Sequence, residues 1–375
     1  MKFYLIAGEA SGDLHASNLM KEIRKLDTEA DLRYWGGDLM RQQGGILVKH
    51  YRDLAFMGFL EVILNLGTIL RNLELCKKDI KDFHPDVVIL IDYPGFNLRI
   101  LKYVKSLQIP VFYYISPQLW AWNSRRVKTI KRFVDKMFVI LPFEEEFYRK
   151  YQFPVEFKGH PLLDVINPSM KLSEKEEFFI KNEFDKRPVI ALLPGSRKQE
   201  IRTVLKIMLE TISAFPDYQF VIAGAPSIPA TYYQKLIGNK KVRIVFHQTY
   251  DLLYHADAAL VTSGTATLET ALMRIPQVVC YKGNVISYLI AKQVIKVKYI
   301  SLVNLIMDRM IVAELIQNKL NRENLINELR KVLFDKKLRA QFQTDYSELN
   351  QRLGGEGASS KTAGKMIQYL TKIEV

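Results

Sequence analysis

Asp92 closes an unbroken apolar run, Val87–Ile91, and is followed by Tyr93-Pro94-Gly95-Phe96-Asn97. An acid at the end of a buried strand can take a proton from a substrate hydroxyl, although the same placement suits an Asx-turn or a helix cap. A second apolar run, Phe3–Ile6, leads into Gly8-Glu9-Ala10-Ser11-Gly12-Asp13. Small residues there let the backbone turn tightly and leave free amides at a helix start, where an anionic or polar substrate group can bind. The three-glycine dinucleotide spacing is absent. A plain strand-to-helix turn with Asp13 as its N-cap is the alternative.

Two loops in the second half have phosphate chemistry. Val189–Leu193 runs into Pro194-Gly195-Ser196-Arg197, with Glu200 one turn later. A helix start carrying Ser196 and the Arg197 guanidinium offers amides, a dipole and a planar donor fork to a diphosphate. Ala258–Val261 runs into Thr262-Ser263-Gly264-Thr265-Ala266-Thr267-Leu268-Glu269. Glu269 could accept hydrogen bonds from ribose hydroxyls, or pair with Thr265 as a variant of a capping box. Two such loops together are more specific than either one alone.

Other segments read less sharply. Ser116-Pro117-Gln118-Leu119-Trp120-Ala121-Trp122 holds two of the three tryptophans. Their faces could stack on sugar or pack acyl chains, or simply fill a core. Arg125, Arg126, Lys128, Lys131 and Arg132 follow as a basic run that is either a solvated helix face or an anion-binding surface. Leu54–Leu70, with Met57, Phe59 and Ile63, is greasy but broken by Glu61 and Asn65. It is too short to span a bilayer and suits a core helix or an interfacial one. His160 has no partner histidine at zinc spacing, and Gly364-Lys365 fails the P-loop pattern. No D-x-D sequence occurs, so a metal-bridged nucleotide-sugar site of that type is not expected, and no other motif calls for a metal or a cofactor.

Elements able to position these residues alternate as strand, loop and helix. Strands are expected at Phe3–Ile6, Val87–Ile91, Val111–Ile115, Met137–Ile140, Val189–Leu193, Gln219–Ala223, Arg243–Phe246, Ala258–Val261 and Gln277–Tyr281. Helices are expected at about Asp13–Leu26, Phe96–Leu107 and Ser124–Phe133. This is the pattern of parallel sheets with helices on both faces. At 375 residues the chain suits two domains. We expect an α/β fold of two Rossmann-like parallel-sheet domains facing a cleft: 1–168, 169–345, and a helical tail over 346–375. Hydrophobic residues make up 48% and charged residues 25%, as in a globular protein. Two distant cysteines fit a reducing compartment. Gly8-Glu9 breaks the first apolar run too early for a signal peptide. A net charge of +14 calls for an acidic partner. No nucleic-acid motif is present, so anionic lipid or a phosphorylated substrate is the better expectation.

Taken in order, AGEASGD (Ala7–Asp13), Met57-Gly58 with Glu61-Val62, Ile91-Asp92, Ser116-Pro117 with Trp120-Ala121-Trp122, Leu141-Pro142-Phe143-Glu144, Gly159-His160, LLPGSR (Leu192–Arg197), Ser263-Gly264-Thr265-Ala266 with Glu269, and Tyr299–Asn304 resemble the lipid-A-disaccharide synthases. Val303 departs from the proline of that family's Ser-Leu-Pro-Asn. The resemblance implies an inverting glycosyltransferase of the GT-B fold. Its substrates would be UDP-2,3-diacylglucosamine and 2,3-diacylglucosamine 1-phosphate, and its products UDP and a β-1,6-linked disaccharide. It implies Asp92 as general base, Asn304 and Arg197 as essential positions, and Glu9 and Ser11 on an important loop. Gly195, Ser196, Arg197, Ser263, Gly264, Thr265 and Glu269 would take the UDP-sugar. Met57, Phe59, Ile63, Trp120, Trp122, Arg125 and Arg126 would face acceptor or membrane. It further implies a homodimer and work at the cytoplasmic face of an anionic inner membrane of a Gram-negative bacterium. A UDP-sugar epimerase or a transferase with a soluble acceptor is the alternative within the same fold.

Overall fold

The computed structural model describes residues 1–53, 66–122, 124–167, 169–283 and 297–373. The chain forms two compact units, Met1–Val165 with Leu353–Val375, and Ile166–Arg352.

In the first unit the apolar runs become β1 (Lys2–Ala7), β4 (Val87–Ile91), β5 (Val111–Tyr114) and β6 (Lys136–Val139). Covered on both faces, these strands need no polar alternation, which is why they read as continuous hydrophobic runs. Sequence reasoning omits β2 (Asp31–Gly36), β3 (Ile46–His50) and β7 (Glu156–Phe157). The sheet order is β3-β2-β1-β4-β5-β6-β7, parallel throughout. The charge that disguises β2 is compensated inside the fold. Arg33 pairs with Asp79, whose carboxylate also accepts from the Tyr4 hydroxyl at 2.7 Å.

One face of this sheet is covered by the helix Ala10–Leu26, through Ala16, Leu19, Met20 and Ile23, and by the last helix, Ala358–Ile373, through Ala363, Met366 and Leu370. The other face is covered by helices Leu66–Phe83, Pro94–Ser106 and Val127–Phe133. The 346–375 tail expected from sequence is therefore not one element. Lys336–Arg352 belongs to the second unit, where Phe342, Tyr346 and Leu349 are buried, and Ala358–Ile373 completes the core of the first. Asp164 fixes that return by accepting from the amides of Gly357, Ala358 and Ser359 at 2.7–3.0 Å, which caps the last helix. The first junction falls between Val165 and Ile166, near the expected position 168.

The second unit holds β8 (Val189–Leu193), β9 (Gln219–Gly224), β10 (Arg243–Phe246), β11 (Ala256–Thr262), β12 (Gln277–Tyr281) and β13 (Ala313–Ile316). Their order is β10-β9-β8-β11-β12-β13, again parallel. Strand order reverses between β1 and β4 in one unit and between β8 and β11 in the other. Ligands of open parallel sheets bind beyond the carboxyl ends of strands at such a reversal. The loops carrying Glu9 and Asp92, and those carrying Gly195 and Ser263, are the four that flank these two points.

Candidate active site

Asp92 directly follows β4 and takes a left-handed backbone, φ 43°, as does Tyr93 at φ 47°. Two consecutive non-glycine residues in this region cost energy and persist only when the surroundings hold them. Two buried side chains do so. The Tyr113 hydroxyl donates to the Asp92 carbonyl at 2.6 Å and the Asn97 amide donates to it at 2.8 Å. Pro94 then starts the helix Pro94–Ser106 with its fixed φ. The Asp92 carboxyl is pushed up to about 7, first by burial and then by the negative charge of Glu9, while the Tyr93 amide pulls the other way. A carboxyl titrating there is a competent general base near neutral pH. Glu9 is the N-cap residue of the helix Ala10–Leu26, with Ser11 exposed in its first turn.

Asp13 does not cap its own helix. It is buried and accepts from the amides of Gly37, Leu39 and Met40 at 2.7–3.1 Å, capping the helix Asp38–Gln42 across the sheet edge.

The loop after β5 is anchored by an acid that sequence reasoning quotes without a role. Glu144 is buried and accepts from the Trp120 indole at 3.2 Å and from the amides of Ile140 and Leu141 at 3.2 and 3.0 Å. Burial pushes its carboxyl up to about 7 against those three donors. The Trp120 ring meets Phe143 edge-on at 4.9 Å between centroids. The Ser116 and Tyr148 hydroxyls share a hydrogen bond of 2.7 Å beneath it. Trp120 is half-buried, and the Trp122 side chain lies outside the described residues, as do Met57, Phe59 and Ile63. Arg125, Lys128, Lys131 and Arg132 are exposed, and Arg126 is half-buried.

His160 has a neighbour after all. His15 stacks edge-on to it at 6.5 Å, and both rings are buried. Burial pushes them down to about 4 for His15 and about 3 for His160. His160 Nδ1 accepts from the Leu162 amide, so it caps the turn Pro161–Asp164.

In the second unit Gly195 has φ +102°, a conformation that disfavours any side chain, and a Cβ there would lie 2.9 Å from the Glu200 carboxylate. The turn delivers Ser196, exposed, and Arg197 at the N-cap of the helix Lys198–Leu209. The Arg197 side chain is 62% exposed and touches Glu200 at 3.4 Å, so its fork points into solvent at the positive end of a helix. Gly264 stands at the N-cap of the helix Thr265–Leu272, with Thr265 exposed. Glu269 accepts from the Tyr250 hydroxyl at 2.8 Å, and burial raises its carboxyl above the ordinary range. Thr265 and Glu269 form no capping box, since that helix has no side-chain cap bond.

Asn304 follows the turn Ile300–Ser301, in the first turn of the helix Leu302–Met307. It is fully buried, and its amide is spent within the chain. Oδ1 accepts from the Ile311 and Val312 amides at 2.8 and 3.0 Å, while Nδ2 donates to the Val312 carbonyl at 2.9 Å and to Glu314 at 2.8 Å. Its side chain thereby holds the helix Leu302–Met307 to Ile311, Val312 and Glu314. Val303, the departure from the family pattern, is also buried.

Twin parallel Rossmann-like sheets, with the last helix returning to the first unit, define a GT-B fold. The UDP-GlcNAc 2-epimerase of Methanocaldococcus jannaschii, solved with UDP-GlcNAc and UDP, superposes with a TM-score of 0.67 over 98% of this chain and 100% of that one, at 15% identity. That likeness is one of fold. The lipid-A-disaccharide synthases of Syntrophus aciditrophicus and Geobacter metallireducens are 40% and 37% identical, each over 98% of this chain and 97% of its own. The lipid-A-disaccharide synthetase family profile matches residues 3–368, and the chain belongs to that family.

Proposed function

We propose that the protein transfers 2,3-diacylglucosamine from its UDP derivative to the primary hydroxyl of 2,3-diacylglucosamine 1-phosphate. The products are UDP and the β-1,6-linked disaccharide 1-phosphate. The observation that carries this reading is the family match along residues 3–368. In the reaction the acceptor oxygen forms a bond to the anomeric carbon as the bond from that carbon to the diphosphate breaks, and UDP leaves with the electron pair. The hydroxyl proton passes to Asp92, whose carboxyl stands near pH 7. Charge growing on the leaving diphosphate is met by Arg197, Ser196 and the amides at the starts of Lys198–Leu209 and Thr265–Leu272. Glu9 and Ser11 flank the base on the acceptor side. The uridine ribose falls to the Glu269 region.

Both substrates carry acyl chains, and we place the enzyme peripherally on the inner face of the cytoplasmic membrane of a Gram-negative bacterium, as a homodimer. Support for the membrane comes from the +14 charge, the exposed Arg125, Lys128, Lys131 and Arg132, and the segment Leu54–Leu70. Within the described helix Leu66–Phe83, Leu70 and Leu75 are also exposed. No helix among the described residues is long and apolar enough to cross a membrane. The test is incubation of purified protein with both substrates, reading UDP and disaccharide together. UDP-sugar converted to a soluble epimer, or no disaccharide at saturating acceptor, would reject the reading.

A further inference from the structure

The backbone turn Ile300–Ser301 is gripped from two sides. On one side Glu314, the second residue of β13, takes four hydrogen bonds. Its Oε2 accepts from the Ile300 amide at 3.0 Å, and its Oε1 accepts from the Ser301 amide at 3.0 Å, the Ser301 hydroxyl at 2.8 Å and the Asn304 amide at 2.8 Å. On the other side the Ser263 hydroxyl, at the carboxyl end of β11, donates to the Ile300 carbonyl at 2.9 Å. Ser301 in turn caps the helix Leu302–Met307 by accepting from the Asn304 amide nitrogen at 3.3 Å. The buried Asn304, in the first turn of the same helix, ties it to Ile311 and Val312.

We infer that Glu314 is a positioning residue for the nucleotide-sugar side of the site. Its carboxylate clamps the Ile300–Ser301 turn onto Ser263 and so sets the shape of the loop that begins the helix Thr265–Leu272. Asn304 acts through this clamp. The inference rests on the transferase reading above for the identity of the ligand, but the clamp itself does not. A carboxylate is the one side chain suited to the place, because all four neighbours are donors and only a group with two acceptor oxygens and no hydrogen can face them all. A glutamine here must turn its NH2 group toward either Ile300 or the Ser301–Asn304 cluster, leaving donor against donor.

The experiment uses the full chain with Glu314→Gln, Glu314→Asp and Ser263→Ala. Glu314→Gln is expected to weaken UDP binding about tenfold in calorimetry, the usual size for a lost charged hydrogen bond. It should raise the donor KM similarly and leave the acceptor KM unchanged. Glu314→Asp, which keeps both oxygens, should recover part of that affinity. Because both sides grip one peptide, Ser263→Ala should cost less in the Glu314→Asp background than alone. This holds the test open if Glu314→Gln does not fold. Amide hydrogen exchange at Ile300 and Ser301 should quicken in the Glu314 variants. A folded Glu314→Gln protein with unchanged UDP affinity and donor KM overturns the inference while the wild type still makes disaccharide. If the wild type makes none, the transferase reading fails on its own, and unchanged exchange at Ile300 and Ser301 then overturns the clamp as well.

Discussion

The ring of Tyr93 lies against Gly8, where a Cβ on residue 8 would have to sit. This contact joins the loop after β1 to the loop after β4, and it brings the Glu9 charge within range of Asp92. The missing side chain at residue 8 thus lets the two loops pack together beside Asp92. Gly8→Ala should push the ring aside and twist the strained pair Asp92-Tyr93. We expect a stability loss of about 1–3 kcal/mol from the overpacking and a fall in kcat of about 100-fold from the misplaced base. Urea unfolding and steady-state kinetics on the same preparation check both. Normal turnover would show that the contact is only packing.

Asp92→Asn should lower kcat by about 10²–10⁴-fold while UDP binding stays near that of the wild type. The pH dependence follows from the sign of the shift. A base must be unprotonated, so wild-type turnover should rise with pH through about 7 and then level off. Glu9→Gln removes a charge that raises the Asp92 carboxyl, so the rise should move to lower pH. Stability runs oppositely. Between the ordinary carboxyl range and about 7 the folded state holds a proton that the unfolded chain releases, so this group's contribution is lost as pH rises through that window. Asp92→Asn should therefore melt higher than wild type at pH 8, with the gap closing toward pH 4. A flat pH–rate profile would remove Asp92 as the base.

Arg197→Ala should weaken UDP binding by about 10–100-fold, the range for a charged hydrogen bond to phosphate, and slow transfer as well. Its fork is solvent-facing, so melting temperature should hardly move. Unaltered UDP affinity in calorimetry would place Arg197 outside the diphosphate site. Since the sequence has no D-x-D, activity should survive EDTA; loss restored by magnesium would contradict that expectation.

The buried pair His15 and His160 should contribute stability that is lost in acid, against the opposite trend from the raised carboxyls of Asp92 and Glu144. Burial holds both rings neutral, at about 4 and about 3, while the unfolded chain takes up protons near the ordinary histidine value. The unfolded state then binds more protons from about pH 6.5 down to those values, so stability is present at neutral pH and falls as pH drops. The contribution of these two sites alone has a slope approaching about 2.7 kcal/mol per pH unit. His15→Gln should remove roughly half of it. Denaturant titrations at pH 4.5 to 7.5 test this, and equal slopes in the two proteins would count against it.

The central strands are legible in the sequence because they are sealed on both faces and spell unbroken apolar runs, as Val87–Ile91 and Val189–Leu193 do. β2 and β3 are hidden by Arg33 and Lys49, whose cost is met by partners no local pattern names, such as Asp79. The short β13 is hidden by Glu314. The site divides the same way. Asp92, Gly195 and Arg197 announce themselves by standing just past a strand. Glu314 and Asp13 look like surface acids until their amide donors arrive from other loops, and Glu144 does until the Trp120 indole reaches it. His15 and His160 meet only because the chain folds a distant loop onto the first helix. Asn304 could be singled out only by family resemblance, and its four internal bonds come from backbone and side chains that no local pattern names.

The return of Ala358–Ile373 to the first unit inverts the order in which the protein can be finished on the ribosome. The second unit is complete once Arg352 has emerged. The first, although synthesised earlier, must wait with Leu19, Met20 and Phe112 uncovered until Met366 and Leu370 arrive. During translation its nascent sheet therefore offers an apolar face that the chain cannot yet cover, a natural binding surface for a chaperone. A stop codon before residue 363 would unfold the half of the protein made first.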